Sequence, residues 1–179
     1  MILPGASVMQ MAWVVNDLDE SVARFSRTLG VGPFMISRHI QLGGVRYRGK
    51  SAQLNFSTAI SQAGAVQIEL VAQHDDQPSV YRDIYAPGRE GFHHVAVIVP
   101  DVAAEVARYR SLGFEAVFEG LFGTASFAYV DTSATLGHMV EILPDDPGIG
   151  RFFSAIRKAA EQWDGKDPAR EMRAASSSS

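Results

Sequence analysis

The sequence predicts an α+β protein made of two tandem βαβββ modules and a C-terminal helix. Three observations carry the prediction. A strand-like run followed by a helix-like run occurs twice, each copy is followed by three further strand-length runs separated by turns, at Gly43-Gly44 and Gly64 in the first and at Gly120 to Gly123 and Thr132 to Thr135 in the second, and the last apolar stretch switches to helical spacing. In the first copy the run is Gln10-Met11-Ala12-Trp13-Val14-Val15-Asn16-Asp17-Leu18; in the second it is His94-Val95-Ala96-Val97-Ile98-Val99-Pro100-Asp101-Val102. At one constant offset Gln10 falls on His94, Asp17 on Asp101, and Val22-Ala23-Arg24-Phe25 on Val106-Ala107-Arg108-Tyr109. One residue then drops out, and Leu29-Gly30 meets Leu112-Gly113.

Residues 8–15 are apolar and β-branched at Val8, Val14 and Val15, which suits a strand covered on both faces. Asn16 or Asp17 can cap a helix over 18–29, with Asp19 and Glu20 in the turn where the helix dipole favours acids and Gly30 as its stop. The loop Gly30-Val31-Gly32-Pro33-Phe34 is not a phosphate cradle, because no Gly-Lys-Ser/Thr follows and Pro33 offers no amide donor. Strands are expected near 34–42, 51–59 and 65–72, in the spacing of an antiparallel meander. The second module is expected to run as strand 93–99, helix 102–112, and strands near 114–119, 125–131 and 137–143. Phe152, Phe153, Ile156, Ala159, Ala160 and Trp163 form the apolar stripe of a helix over 149–163, expected to pack outside a sheet or on a second subunit. The organisation is therefore residues 1–74 (first module), 75–91 (linker), 92–146 (second module), 147–165 (C-terminal helix) and 166–179 (flexible tail).

Composition narrows the function classes. With 46% hydrophobic and 20% charged residues the 179-residue chain reads as globular, and a net charge of −4 argues against a nucleic-acid partner. There is no cysteine, so disulfides, thiolate ligands and thiol nucleophiles are excluded. No stretch approaches the roughly 20 apolar residues of a membrane span and no signal-like segment opens the chain, so no membrane partner is expected and the cytoplasm is the default location.

Each module closes on a matching strand, Val66-Gln67-Ile68-Glu69-Leu70-Val71 and His138-Met139-Val140-Glu141-Ile142-Leu143. A carboxylate among branched aliphatics is costly to bury unless protonated, paired or bound to a cation. Glu69 and Glu141 stand at equivalent points of the repeat, and Gln10 and His94 open its first strands. These four oxygen and nitrogen donors suit one divalent ion of the Zn, Ni, Co, Fe or Mn kind, with open positions for substrate.

At these residues the chain resembles the vicinal oxygen chelate superfamily, which includes the glyoxalase, bleomycin-resistance, methylmalonyl-CoA epimerase and extradiol dioxygenase families. The resemblance spans Val8 to Leu143. It implies that the two modules pair into a half-open, curved β-barrel around a metal held by Gln10, Glu69, His94 and Glu141. The order Gln, Glu, His, Glu is most similar to the glyoxalase I (lactoylglutathione lyase) type, which implies that Glu141, with Glu69 opposite it, is the catalytic acid–base. Three departures stand out. Val14 occupies the position of the arginine found in glutathione-using members; Gln10 and Glu69 reverse the usual histidine-first, glutamine-second order of the acyl-CoA epimerases; and Gln10 replaces the first histidine of the two-histidine, one-carboxylate set of dioxygenases.

The remaining polar residues sort by strand parity and charge. His93 should face away from His94 because strand side chains alternate, and His138 has the wrong parity relative to Glu141, so both are expected to be structural. Between Glu20 and Glu69 there is no acid, while Arg24, Arg27, Arg38, Arg46, Arg48 and Lys50 are basic, so an anionic substrate could be steered there. His39, Tyr47 and Arg48 are the candidate substrate-binding residues, with His74 and Tyr81 as secondary candidates. The expected function is a metal-dependent lyase or isomerase that moves a proton next to a carbonyl of a small anionic substrate. The alternatives are a small-molecule binding protein without chemistry and an Fe(II) extradiol dioxygenase, and a homodimer is compatible with the apolar stripe of 149–163.

Overall fold

The computed structural model describes residues 7–172. The chain runs β1 (Val8–Val14), α1 (Leu18–Leu29), β2 (Phe34–Ser37), β3 (Gly43–Tyr47), β4 (Lys50–Ser51), β5 (Phe56–Ala63) and β6 (Val66–Gln73), then β7 (Gly91–Val99), α2 (Val102–Ser111), β8 (Ala116–Phe122) and β9 (Ala125–Val130). It ends with α3 (Ser133–Leu136), β10 (Met139–Pro144), α4 (Pro147–Glu161) and β11 (Ala169–Glu171). The repeated helices begin alike. Asp17, rather than Asn16, accepts from the Glu20 amide at 2.9 Å, and Asp101 accepts from the Ala104 amide at 2.9 Å, each satisfying a donor that the first helical turn leaves unpaired. Gly30 ends α1 at φ 67°, a left-handed conformation that glycine adopts without strain.

Among the described residues all eleven strands join one curved, unclosed sheet in the order β11-β2-β5-β6-β1-β7-β10-β9-β8-β3-β4. Its centre carries the internal repeat. β1 lies parallel to β6, β7 lies parallel to β10, and β1 and β7 meet antiparallel, so each module contributes its first and last strands side by side. One face packs under the helices: Leu18 and Val22 of α1 with Phe34, Ile36 and Leu70, and Val106 of α2 with Val97, Val130 and Ile142. The other face curves around a third cluster that includes Val14, Phe56, Tyr81, Ala96, Phe118, Tyr129 and Met139. No helix among the described residues is long and apolar enough to cross a membrane.

Two departures from the expected meander shape the open side of this cup. The strand expected over 34–42 stops at Ser37, and His39 turns into the left-handed region at φ 46°. The next hairpin then leaves its own module: β3 pairs antiparallel with β8 of the second, in the register Gly43↔Leu121, Arg46↔Glu119 and Tyr47↔Phe118. Arg48 and Gly49 link β3 to β4 with φ of 48° and 77°, the two positive values that a tight hairpin turn requires. Alternating apolar residues specify which face of a strand is buried; they do not specify which edge it joins.

The C-terminal segment departs further. α4 is started by Asp146, which accepts from the Gly148 and Ile149 amides at 2.7 and 3.1 Å, and by Pro147 in its first turn. Its stripe turns inward rather than onto the outside of the sheet, with Phe153 packed against the concave cluster and Phe152 lining the cavity there. Beyond it Trp163 lies on Gly32, where an added Cβ would come 2.8 Å from the indole ring. Within the expected tail, Ala169–Glu171 adds a parallel strand to β2, fastened by Phe34 N donating to Pro168 O at 2.7 Å and by Arg38 bridging Asp19 and Glu171 at 2.5 and 2.8 Å. The backbone of β2 had an open edge, which this strand covers. The rest of that expected tail, residues 173–179, lies outside the described residues.

Candidate metal centre and its cavity

The central register sets out two rows of side chains on the concave face. One row reads Glu69, Ala12, His94, Met139; the other reads Gln67, Gln10, Ala96, Glu141. Residues directly opposite on neighbouring strands point the same way, as do residues two apart on one strand, so polar groups from four strands meet over one patch. Ala12 and Ala96, both fully buried, stand between the polar residues of each row and raise only a methyl group there.

Glu69, His94 and Glu141 come together. His94 Nε2 lies 3.4 Å from Glu69 Oε2 and 3.4 Å from Glu141 Oε2, and all three residues are buried. Among the described residues this nitrogen has no hydrogen-bond partner of ordinary geometry. One donor atom from each residue lies within 4.8 Å of the others. Two atoms that each sit about 2.1 Å from one ion, at tetrahedral or octahedral angles, are roughly 3.0–3.5 Å apart, so the spacing fits a shared cation. An orphaned imidazole nitrogen between two buried carboxylates is a donor set short of positive charge, which a proton supplies in part and a divalent ion in full. Gln10 lines the same cavity, and its amide nitrogen donates to Gln67 Oε1 at 3.3 Å, leaving the carbonyl oxygen as the atom a cation would take.

The electrostatics follow from burial and from this convergence. Burial raises the Glu69 carboxyl above its usual range, while His94 pulls the other way. Burial disfavours charge on His94 too, but the Glu141 and Glu69 carboxylates outweigh it and lift the imidazole to about 9 in the metal-free protein.

His93 corrects the parity expectation. The register passes from Ala12↔His94 to Trp13↔Phe92, so His93 is the extra residue of a β-bulge, and alternation fails at that point. Its ring lies beside His94 rather than on the opposite face. His93 Nδ1 is 2.9 Å from His94 Nδ1, and His93 Nε2 is 3.0 Å from the Val80 carbonyl oxygen. A carbonyl can only accept, so His93 Nε2–H donates to it. Burial, with His94 adjacent, pushes His93 down to about 3; it is neutral, its Nδ1 accepts, and His94 Nδ1–H is the donor. With Nδ1–H committed to His93, Nε2 is the nitrogen that faces Glu69 and Glu141, and its lone pair becomes available to a cation when its proton leaves.

His39, Tyr47 and Arg48 are not brought to this cavity. Tyr47 Oη donates to Asp83 at 2.6 Å, Arg48 pairs with Asp83 at 3.1 Å and approaches Asp131 at 3.9 Å, and His39 Nδ1 lies 2.9 Å from Asn55 Oδ1. His74 sits beside His39, its Nε2 2.6 Å from Ser57 Oγ, and His138 Nδ1 donates to the Met139 carbonyl at 2.8 Å. Much of the basic run is used structurally: Arg24 pairs with Glu90, Arg38 with Asp19 and Glu171, and Arg46 donates to the Gly49 carbonyl.

The cavity next to the three donors holds about 370 Å³ and is lined by Phe118, Phe127, Tyr129 and Tyr81 together with Ile149, Phe152 and Phe153 of α4. Burial, with the nearby carboxylates, raises the Tyr81 and Tyr129 hydroxyls well above their ordinary range, so both stay protonated. Phe127 and Tyr129 were not among the candidate residues of the sequence, although their spacing of two on β9 was the signal that both face the same way. No lysine or arginine among the described residues lines the cavity; its charged lining residues are Glu69, Glu141 and Asp146.

Comparison with known proteins agrees with the architecture. The model of the Glyoxalase/Bleomycin resistance protein/Dioxygenase superfamily matches residues 9–129. No curated protein matches the chain. Among solved structures, methylmalonyl-CoA epimerase from Mycobacterium tuberculosis is similar with a TM-score of 0.55 and 17% identity over 84% of this chain and 97% of that one. A hypothetical protein from Bacillus halodurans C-125 has a TM-score of 0.57 and 14% identity over 80% and 96%. A Streptomyces coelicolor methylmalonyl-CoA epimerase variant in complex with 2-nitronate-propionyl-CoA has a TM-score of 0.54 and 17% identity over 80% and 97%. At these identities the likeness is one of fold.

Proposed function

The chain belongs to the glyoxalase/bleomycin resistance protein/dioxygenase superfamily, and from that premise we propose that it is a metal-dependent isomerase or lyase moving a proton on the carbon beside a carbonyl of a small molecule. The observation that carries this reading is His94 Nε2 held 3.4 Å from each of two buried carboxylates at the floor of a cavity. Gln10, Glu69, His94 and Glu141 would hold the ion. When bound, it would supply positive charge to the substrate's carbonyl oxygen and so make the adjacent C–H more acidic.

The chain's own residues account for the proton. Glu69 and Glu141 flank His94 from opposite modules, so a carboxylate oxygen of Glu141 can take the proton from one side of the carbon while Glu69 returns it from the other. Burial raises the proton affinity of Glu69, which favours a carboxyl that carries a proton between steps. Tyr81 and Tyr129 keep their hydroxyl protons and can donate to an oxygen that gains negative charge. Epimerases among the structures of like fold are consistent with the isomerase form of the reaction. One imidazole, two carboxylates and an amide differ from the two-histidine, one-carboxylate set of Fe(II) oxygenases, which disfavours a dioxygenase.

Elemental analysis of the metal-repleted wild type tests the reading. About one transition-metal ion per chain is expected, falling to a small fraction in His94→Ala. Retention of the same stoichiometry without the imidazole would move the ion elsewhere.

A further inference from the structure

The cavity beside the three donors has a largely apolar lining rich in aromatic rings. Phe118 and Phe127 lie with ring centroids 6.0 Å apart, and each stands edge-on to Tyr129 at 5.8 and 6.1 Å. Gly120 makes room for this wall, because a Cβ there would come 3.0 Å from the Phe127 ring. The same space is lined by Phe152 and Phe153 of α4, a helix fastened at its start by Asp146 and followed by Trp163, which lies on Gly32, and by β11 on β2. The helix thus presents a fixed apolar surface to the cavity.

Charge points the same way. A divalent ion at His94 would balance Glu69 and Glu141, leaving Asp146, whose carboxylate already accepts from two helix amides. Since no lysine or arginine among the described residues lines the space, a carboxylate or phosphate on the body of a ligand would be desolvated there with no partner. A volume of about 370 Å³ is at the small end of ligand pockets, which suits a body of about one or two rings.

We propose that the substrate is a carbonyl compound with a neutral aromatic or branched aliphatic body, its oxygens at the Glu69–His94–Glu141 cluster and its body packed among Phe118, Phe127 and the α4 residues Phe152 and Phe153. This rests on the proton-transfer reading for the oxygen end only; the neutral, apolar body stands on the wall itself.

Three hydroxamates with the same two-oxygen head separate these points when titrated into Co²⁺-loaded full-length protein and followed by the cobalt absorption spectrum. They are acetohydroxamate, 2-naphthohydroxamate and the carboxylate-tailed monohydroxamate of succinate. The naphthyl probe should bind about 10- to 100-fold more tightly than acetohydroxamate, from apolar area buried. The carboxylate-tailed probe should bind no better than acetohydroxamate. Phe152→Ala and Phe127→Ala should each remove about tenfold or more of the naphthyl advantage. Equal binding of the naphthyl and methyl probes, or preference for the anionic tail, overturns the proposal. If no hydroxamate perturbs the cobalt spectrum, the metal reading fails, and naphthalene with metal-free protein then decides the body: fluorescence-detected binding weakened by Phe152→Ala supports an apolar occupant, and no binding overturns it.

Discussion

His93 Nδ1 lies 2.9 Å from His94 Nδ1, while the far nitrogen of His93 donates to the Val80 carbonyl at 3.0 Å. This pairing leaves His94 one free nitrogen, and that nitrogen faces both carboxylates. Removing the acceptor with His93→Phe should preserve the fold, because the ring packs among Tyr81 and Tyr129. It should weaken metal affinity about 10- to 100-fold, the usual effect of losing a partner that orients a ligand. Calorimetric metal titration measures the loss, and imidazole nitrogen NMR should show one His94 tautomer in the metal-free wild type at high pH and a mixture in the variant. Equal affinities would reduce His93 to packing.

Acidity gives a second expectation. In the metal-free fold His94 is raised to about 9 from an ordinary 6.5, so the proton stabilises the fold. That contribution is fully present below about pH 6.5 and is lost as pH rises through 9. His93 has the opposite sign: lowered to about 3, it contributes stability above pH 6.5 that is lost as pH falls toward 3. Metal-free protein should therefore melt at lower temperature as pH is raised from 7 to 10. The metal-loaded form should resist that decline, since the ion takes the proton's place. Between pH 7 and 9 apparent metal affinity should rise about tenfold per pH unit, with one proton released per ion bound.

The methyl groups between the ligands make a third. Ala12 stands between Glu69 and His94, and Ala96 between Gln10 and Glu141, both fully buried. Ala96→Val should cost about 1–3 kcal/mol of stability from overpacking. It should also lower metal binding more than the same change at Ala72, which packs on the far face of the sheet. Denaturant titration and metal stoichiometry check the pair.

Much of the site could be read in the sequence because the chain repeats itself. Gln10 and His94 open equivalent strands, Glu69 and Glu141 sit in their parallel partners, and the repeat alone aligns them. The His93 bulge was hidden because parity arguments assume an uninterrupted ladder, and a bulge depends on how β1 and β7 meet. Equally invisible was the transfer of Gly43–Ser51 to the second module, since alternation is silent about which edge a hairpin joins. The stripe on α4 was plain, but a stripe names no partner surface, and its place against the cavity depends on Trp163 and on β11, whose three exposed residues carry no strand pattern.

Proton transfer itself is tested most directly by solvent exchange. Metal-repleted wild type is incubated in D₂O with aryl-bearing ketones and α-hydroxy aldehydes, and deuterium on the carbon beside the carbonyl is followed by NMR. Incorporation is expected, abolished by a chelator, restored by the ion, and lowered about 10²- to 10⁴-fold in Glu141→Gln that still binds the metal. Tight binding of these compounds without exchange, or exchange indifferent to chelator and to Glu141→Gln, would contradict a metal-dependent acid–base role for this centre.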